Sequence, residues 1–210
     1  MNVNNELNGL FNLTPEYVKQ AIITAGDAFL EDPIMVFTYP DEKMRKENAK
    51  YGFYMLYNYA AKKGFAYATS RNLEGITIWL PPDKVYTSFW TMLRHGGFYT
   101  MRKVGLKMEA MKKTMTVFNY EEERHRELAP FRHWYFQNIA VKPEEWNKGY
   151  GGHLIRSMLE KVEGDGLPIY VETNTGKAAS IYQKHGFEVL EHTLIPETPV
   201  ELWCMLRKPE

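Results

Sequence analysis

Residues 133–162 constrain this chain more than any other stretch. HWYFQNIAV, residues 133–141, is the strongest strand signal in the sequence. Pro143 follows it, and then the glycine-bearing run Trp146-Asn147-Lys148-Gly149-Tyr150-Gly151-Gly152. Residues 149–162 read as the strongest helix. Gly151, Leu154, Ile155, Met158 and Val162 share one face, while His153, Arg156 and Glu160 share the opposite one. A short buried-type strand comes next, at residues 168–172. Strand, helix, strand in this order requires a parallel pair with a right-handed crossover. The expected fold class is therefore α/β: a mixed central sheet of about six to seven strands, with helices on both faces.

The rest of the chain fits around that unit. Thr14-Pro15-Glu16 is an N-cap with proline at the first helical position, so a helix runs to about Leu30. Asp32-Pro33 breaks it. Residues 41–63 read as a second helix ended by Gly64. Residues 65–69 and 76–80 form a hairpin across Asn72 and Gly75. Residues 86–128 are mostly helical, with a break near Gly105. Within them Met92, Met101, Met108, Met111 and Met115 lie at near-helical spacing and read as core, or as an adaptable apolar wall. Residues 121–126, EEERHR, read as a solvated helix face. After residue 172 come a short helix at 178–184, capped by His185-Gly186, and an antiparallel strand pair at 187–193 and 200–206. No repeat or linker divides the chain, so residues 1–210 are expected to be one domain.

The loop carries the chemistry. Backbone N–H groups at a helix start lack intrahelical partners, and with the helix dipole they favour phosphate. Glycines let the main chain approach an anion closely. The Walker pattern is absent, and the dinucleotide fingerprint fails because Leu154 occupies its third glycine position. The residues alone leave two readings: a site for a diphosphate-like anion, or a tight turn with no ligand. Tyr182 alone reads as a core tyrosine near Ile181 and Phe187.

The run NIAVKPEEWNKGYGGHLIRSMLE resembles the signature of the GNAT superfamily of N-acetyltransferases, and AASIYQKHGFEV resembles that family's second motif about thirty residues on. WCMLRKPE at the chain end and AFLEDPIMVFTYP near the start are similar to the branch containing puromycin N-acetyltransferase. The resemblance covers residues 131–208 strongly and the first half weakly. It implies that acetyl-CoA is the co-substrate, with its pantetheine pairing with the backbone of Ile139 and Val141 between two splayed strands. Asn147, Lys148, Gly149, Tyr150, Gly151 and Gly152 would hold the pyrophosphate, and Asn174 could bond the pantetheine arm. Tyr182 would protonate the departing thiolate. Trp146 departs from the Gln or Arg that the family prefers, and it is left without a role.

The general base is less defined. By the two-residue period, residues 133, 135, 137, 139 and 141 share one face of their strand. The family often places an acid or histidine at positions like Tyr135 or Gln137, and neither residue is a base. His133 and Glu172 remain, acting directly or through water, with Glu172 alternatively anchoring the substrate amine. Residues 1–130 would supply the acceptor pocket and residues 131–210 the cofactor half. The expected activity is transfer of an acetyl group to a primary amine of a small molecule. The rival readings are an acyl-CoA sensor or inactive regulatory domain, or a site for another phosphate compound.

Composition narrows the partners. Lys plus Arg and Asp plus Glu number 26 each, so the net charge is zero and a general polyanion binder is not expected. The one cysteine, Cys204, allows no internal disulfide and fits a reducing compartment. The histidines show no metal-ligand spacing, so no metal is expected. The first residues do not read as a secretory signal, and no apolar run is long enough for a membrane span. The expectation is a cytoplasmic protein without nucleic-acid or membrane partners, with a homodimer left open.

Overall fold

The computed structural model describes residues 6–7, 9–87, 89–105 and 108–209; of Glu6, Leu7, Phe89 and Met92 only the backbone is described. One sheet runs through the protein in the order β1-β2-β3-β4-β5-β6-β8-β7. Its strands are β1 (Glu6–Leu7), β2 (Leu10–Asn12), β3 (Ala66–Ala68), β4 (Gly75–Leu80), β5 (Trp134–Val141), β6 (Ile169–Thr173), β7 (Glu188–Leu194) and β8 (Glu201–Arg207). The expected mixed sheet is present. The short β1–β2 hairpin widens it, and that hairpin gave no sequence signal because it is too brief to show an alternation. β5 and β6 are parallel, and every other neighbouring pair is antiparallel.

Helices cover both faces. α1 (Val18–Ala28), α3 (Glu42–Gly52) and α4 (Tyr54–Lys63) lie on one face, where Ala21, Ile22 and Tyr57 pack with Ile76, Ile78 and Leu80 of β4. α2 (Pro33–Thr38) and α7 (Met108–Leu128) cover the β6–β8 end of that face, through Ile34 and Val117 against Tyr170, Leu202 and Cys204. α8 (Tyr150–Val162) and α9 (Gly176–Gln183) lie on the other face. There Leu154, Ile155, Met158 and Val162 bury against Phe136, Ile169 and Val171. Burying such side chains is worth roughly 1.5–3 kcal/mol each, so this stripe fixes α8 on the sheet.

Three expectations needed correction. The helix over residues 41–63 is two helices, α3 and α4, meeting at Phe53 just after Gly52, a poor helix former. Asp32 does not only break α1; it accepts a bond from Ile34 N at 2.9 Å and starts α2. Finally, the methionines are not core. Met101 lies on α6 (Phe98–Val104) and Met108, Met111 and Met115 on α7, and all four are exposed. α7 buries a different line, Ala110, Val117 and His125, so its methionine stripe is turned outward. The side chain of Met92, on α5 (Phe89–Met92), lies outside the described residues. Between α5 and α6 the backbone kinks at Gly96, φ +142°, where a Cβ would stand 2.5 Å from the Tyr54 ring.

Candidate active site

β5 and β6 pair only at Trp134↔Ile169, Tyr135↔Tyr170 and Phe136↔Val171. Beyond Phe136 they part. β5 continues along β4 to Val141, and β6 continues along β8 to Thr173. A bulge accompanies the parting: Ile78 faces Asn138 while Trp79 faces Phe136, so Gln137 is the extra residue. The bulge shifts the phase of β5. His133 and Tyr135 lie on the face of α7, whereas Phe136 and then Ile139 pack on the face of α8. The expectation that residues 133 to 141 keep one face by strict alternation therefore fails at Gln137.

The same phase decides which backbone groups face the gap. Lys142 N donates to Glu74 O at 2.9 Å, and Thr77 Oγ1 donates to Asn138 O at 2.8 Å. In an antiparallel ladder the N–H and C=O of one residue point the same way, alternating along the strand. Asn138, Ala140 and Lys142 thus turn to β4, and Ile139 and Val141 turn to the split. An amide-bearing chain entering there would find strand partners. The Val141 carbonyl already accepts the indole N–H of Trp146 at 2.8 Å.

The loop after β5 delivers a helix start to the mouth of this split. Asn147 has φ +65° and Gly149 φ +88°. Gly149 caps α8, whose first bond runs from His153 N to Gly149 O at 2.9 Å. The amides of Tyr150, Gly151 and Gly152 therefore lack intrahelical partners. A Cβ built on Gly149 would meet nothing within 4 Å, so its glycine answers to the backbone angle and not to crowding by protein. Lys148 pairs with Glu145 at 2.9 Å. These groups fit a pyrophosphate.

On the α7 face, Glu172 accepts from Tyr170 Oη and Tyr135 Oη, each at 2.9 Å. Burial lifts its carboxyl to about 7, against the lowering effect of both phenols. Glu121 of α7 lies close by. Burial and the Glu172 charge push it well above the usual carboxylate range. Asp32, at the start of α2, is raised to about 6 by burial despite its backbone bonds. Each of the three residues is half-buried overall. Cys204 pairs across from Glu172 in β8, and burial pushes its thiol to about 12, too high for a nucleophile.

Tyr182 stands on the opposite face. Its ring packs edge-on against Phe136 with centroids 5.3 Å apart, at the vertex of the split, and burial raises its phenol. His133 is placed differently from its expected role. It is 1% exposed, its Nδ1 lies 2.7 Å from Phe131 O, and its Nε2 lies 2.7 Å from His125 Nε2. A carbonyl only accepts, so Nδ1 carries the proton and Nε2 receives one from His125. Both ring nitrogens are spent, and burial lowers the basicity of both histidines. The pair is structural: His125 stacks on Tyr170 at 4.3 Å and so supports a phenol that holds Glu172. Asn174 is also engaged, its Nδ2 donating to Glu121 Oε1 at 3.2 Å and to Glu201 O at 3.0 Å. It ties the end of β6 to α7.

Glu121 and Asp32 are the residues that sequence reasoning underrated. Glu121 looked like part of a solvated run. It falls four residues after buried Val117 and four before buried His125, and that spacing marks its inward face. Among the described residues no group of three or more His, Cys, Asp and Glu side chains could hold a metal ion, and no helix is long and apolar enough to cross a membrane.

Residues 112–189, from α7 through β7's start, match the family model of the acetyltransferase (GNAT) domain. An uncharacterized N-acetyltransferase of Schizosaccharomyces pombe is 25% identical over 200 residues, covering 91% of this chain and 80% of that protein. Among solved structures, an acetyltransferase of Corynebacterium glutamicum related to histone acetyltransferase superposes with a TM-score of 0.60 at 15% identity, over 96% of each chain. Polyamine N-acetyltransferase of Drosophila melanogaster does so with a TM-score of 0.60 at 10% identity, over 95% of this chain and 98% of that one. An agmatine N-acetyltransferase gives a TM-score of 0.62 at 10% identity over the same shares. The split sheet and the glycine-led helix agree with this match, which places an acetyltransferase (GNAT) domain over residues 112–189.

Proposed function

We propose that this chain transfers the acetyl group of acetyl-CoA to a primary amine of a small molecule, by direct attack of the amine on the thioester. The observation that carries this reading is the split between β5 and β6, with Glu172 beside its inner end on one face and Tyr182 at its vertex on the other. Acetyl-CoA supplies an activated acyl group. Ile139 and Val141 pair with its pantetheine, and the amides from Asn147 to Gly152 hold its pyrophosphate. Glu172 takes the proton that the amine loses as its nitrogen bonds the acetyl carbon. A base near 7 suits this task at neutral pH. Tyr182 gives its proton to the sulfur as the carbon–sulfur bond breaks. Asp32, raised only to about 6, is ionised at neutral pH and favours an amine that arrives as a cation, whose extra proton passes to solvent before the neutral amine attacks. His133 has no part in the reaction.

In this reading residues 1–130 shape the acceptor pocket and residues 131–210 bind the cofactor within one domain. The relatives named for agmatine and polyamines support a small amine, and the runs AFLEDPIMVFTYP and WCMLRKPE resemble the puromycin N-acetyltransferase branch. The neutral net charge speaks against nucleic acid as a partner, and the single cysteine fits a cytoplasmic enzyme; we propose no membrane partner and leave a homodimer open. The raised carboxyl of Glu172 favours turnover over a binding-only sensor, because it supplies the base that Tyr135 and Gln137 lack.

The deciding measurement is release of free CoA thiol across a panel of primary amines. Release with at least one amine is expected. Calorimetric binding of acetyl-CoA with no release from any amine would select the sensor instead. Tyr182→Phe is expected to lower kcat about a hundred-fold, the low end of acid–base effects because a thiolate leaves readily, with acetyl-CoA affinity unchanged. Equal loss of both would remove the acid role.

A further inference from the structure

Trp146 leaves the end of β5 and folds back on it. Its indole N–H donates to Val141 O at 2.8 Å, and the Lys177 ammonium lies 5.6 Å from its ring centroid. Val141 ends one arm of the split, and Lys177 sits in the first turn of α9, just after the other arm. The indole therefore links the two arms across the mouth. Little else holds it, since Trp146 is 49% exposed. One hydrogen bond and one exposed cation–ring contact each shift an equilibrium by only about a few-fold. A ligand can displace such a strap, and its removal is large enough to measure.

The oxygen under the indole matters. Val141 is one of the two residues whose backbone groups turn away from β4 into the split, so its carbonyl is an acceptor suited to a pantetheine amide. We propose that Trp146 is a strap that sets cofactor affinity: in the free protein its indole occupies the Val141 carbonyl, and the pantetheine amide displaces it on binding. This inference rests on the coenzyme A reading of the split. Trp146 touches neither Glu172 nor Tyr182 in the contacts above. It sets how tightly the cofactor binds and leaves the rate of acetyl transfer alone.

The test compares wild type with Trp146→Phe, which keeps a ring near Lys177 and loses the donor. CoA is titrated calorimetrically, and steady-state rates are measured with an amine from the panel. The dissociation constant for CoA and the KM for acetyl-CoA are expected to fall about five-fold, the size of one net hydrogen bond, with kcat unchanged. Trp146→Leu loses the same donor and is expected to move in the same direction. A residue that merely pins the loop would give the opposite result, weaker binding in both variants, and that result or an unchanged affinity overturns the proposal. If neither variant folds, the wild type still decides. Of its five indole N–H signals in a nitrogen-15 spectrum, one is expected to move toward the free-indole position on saturation with CoA. Five unmoved signals in a protein that binds CoA overturn the strap alone. A wild type that binds neither CoA nor acetyl-CoA overturns the coenzyme A reading itself.

Discussion

Glu172→Gln is expected to lower kcat/KM for amine acetylation about a thousand-fold, within the range that general base catalysis supplies, while acetyl-CoA still binds. The glutamine keeps the size of the side chain and its place between Tyr135 and Tyr170, but it cannot take a proton. In wild type, kcat/KM should climb with pH through a limb near 7, where the buried carboxyl loses its proton; the variant should lack that limb. A stability effect of the opposite sign accompanies the loss. The folded-state carboxyl is raised from 4.5 to about 7, so between those values the folded protein holds a proton that the unfolded chain has released. Stability contributed by this group therefore falls as pH rises through that window. Relative to wild type, the melting temperature of Glu172→Gln should improve between about pH 5 and about pH 8. A variant with a wild-type rate would eliminate Glu172 as the base.

Phe136→Ala is expected to cost about 3–5 kcal/mol of folding stability, the usual range for truncating a buried phenylalanine. Phe136 is 1% exposed and stacks on Trp79 with centroids 4.4 Å apart at 13°. It also closes the last pair between β5 and β6 and supports the Tyr182 ring. Urea unfolding measures the loss, and a cost below about 1 kcal/mol would mean that the site collapses to fill the space. The surviving folded fraction should also transfer acetyl groups more slowly, because Tyr182 loses the surface that aims it.

Much of this was legible in the residues. The β5–α8–β6 unit was readable because α8 carries one uninterrupted apolar face, and Pro143 and Gly149 punctuate the entry to it. Tyr182 packs beside Phe187, as its residues alone suggested. Other features depend on contacts between distant segments. One extra residue in β5 is invisible to a two-residue period, yet it moves Ile139 to the α8 face and leaves His133 and Tyr135 on the α7 face. His133 looked available for catalysis until His125, eight residues away, was seen to take its free nitrogen. Glu121 reads as a surface charge in a charged run unless its spacing from Val117 and His125 is weighed, and the packing of α7 on the sheet brings it near Glu172. The outward methionines have the same origin, since tertiary packing overrode local pattern, whereas the helix break at Phe53 follows the local signal of Gly52.

The narrow seam between β5 and β6 has a mechanical consequence. Three residue pairs join a half-sheet of β1 to β5 to a half-sheet of β6 to β8. Each half is an antiparallel plate with its own ladder, and the weld between them is shorter than either plate is wide. Under load or thermal agitation the plates should hinge at residues 134–136, with α8 as the spanning brace. Amide exchange along that weld should then slow when a ligand fills the gap, because an added strand of amides lengthens the join without touching either plate's interior.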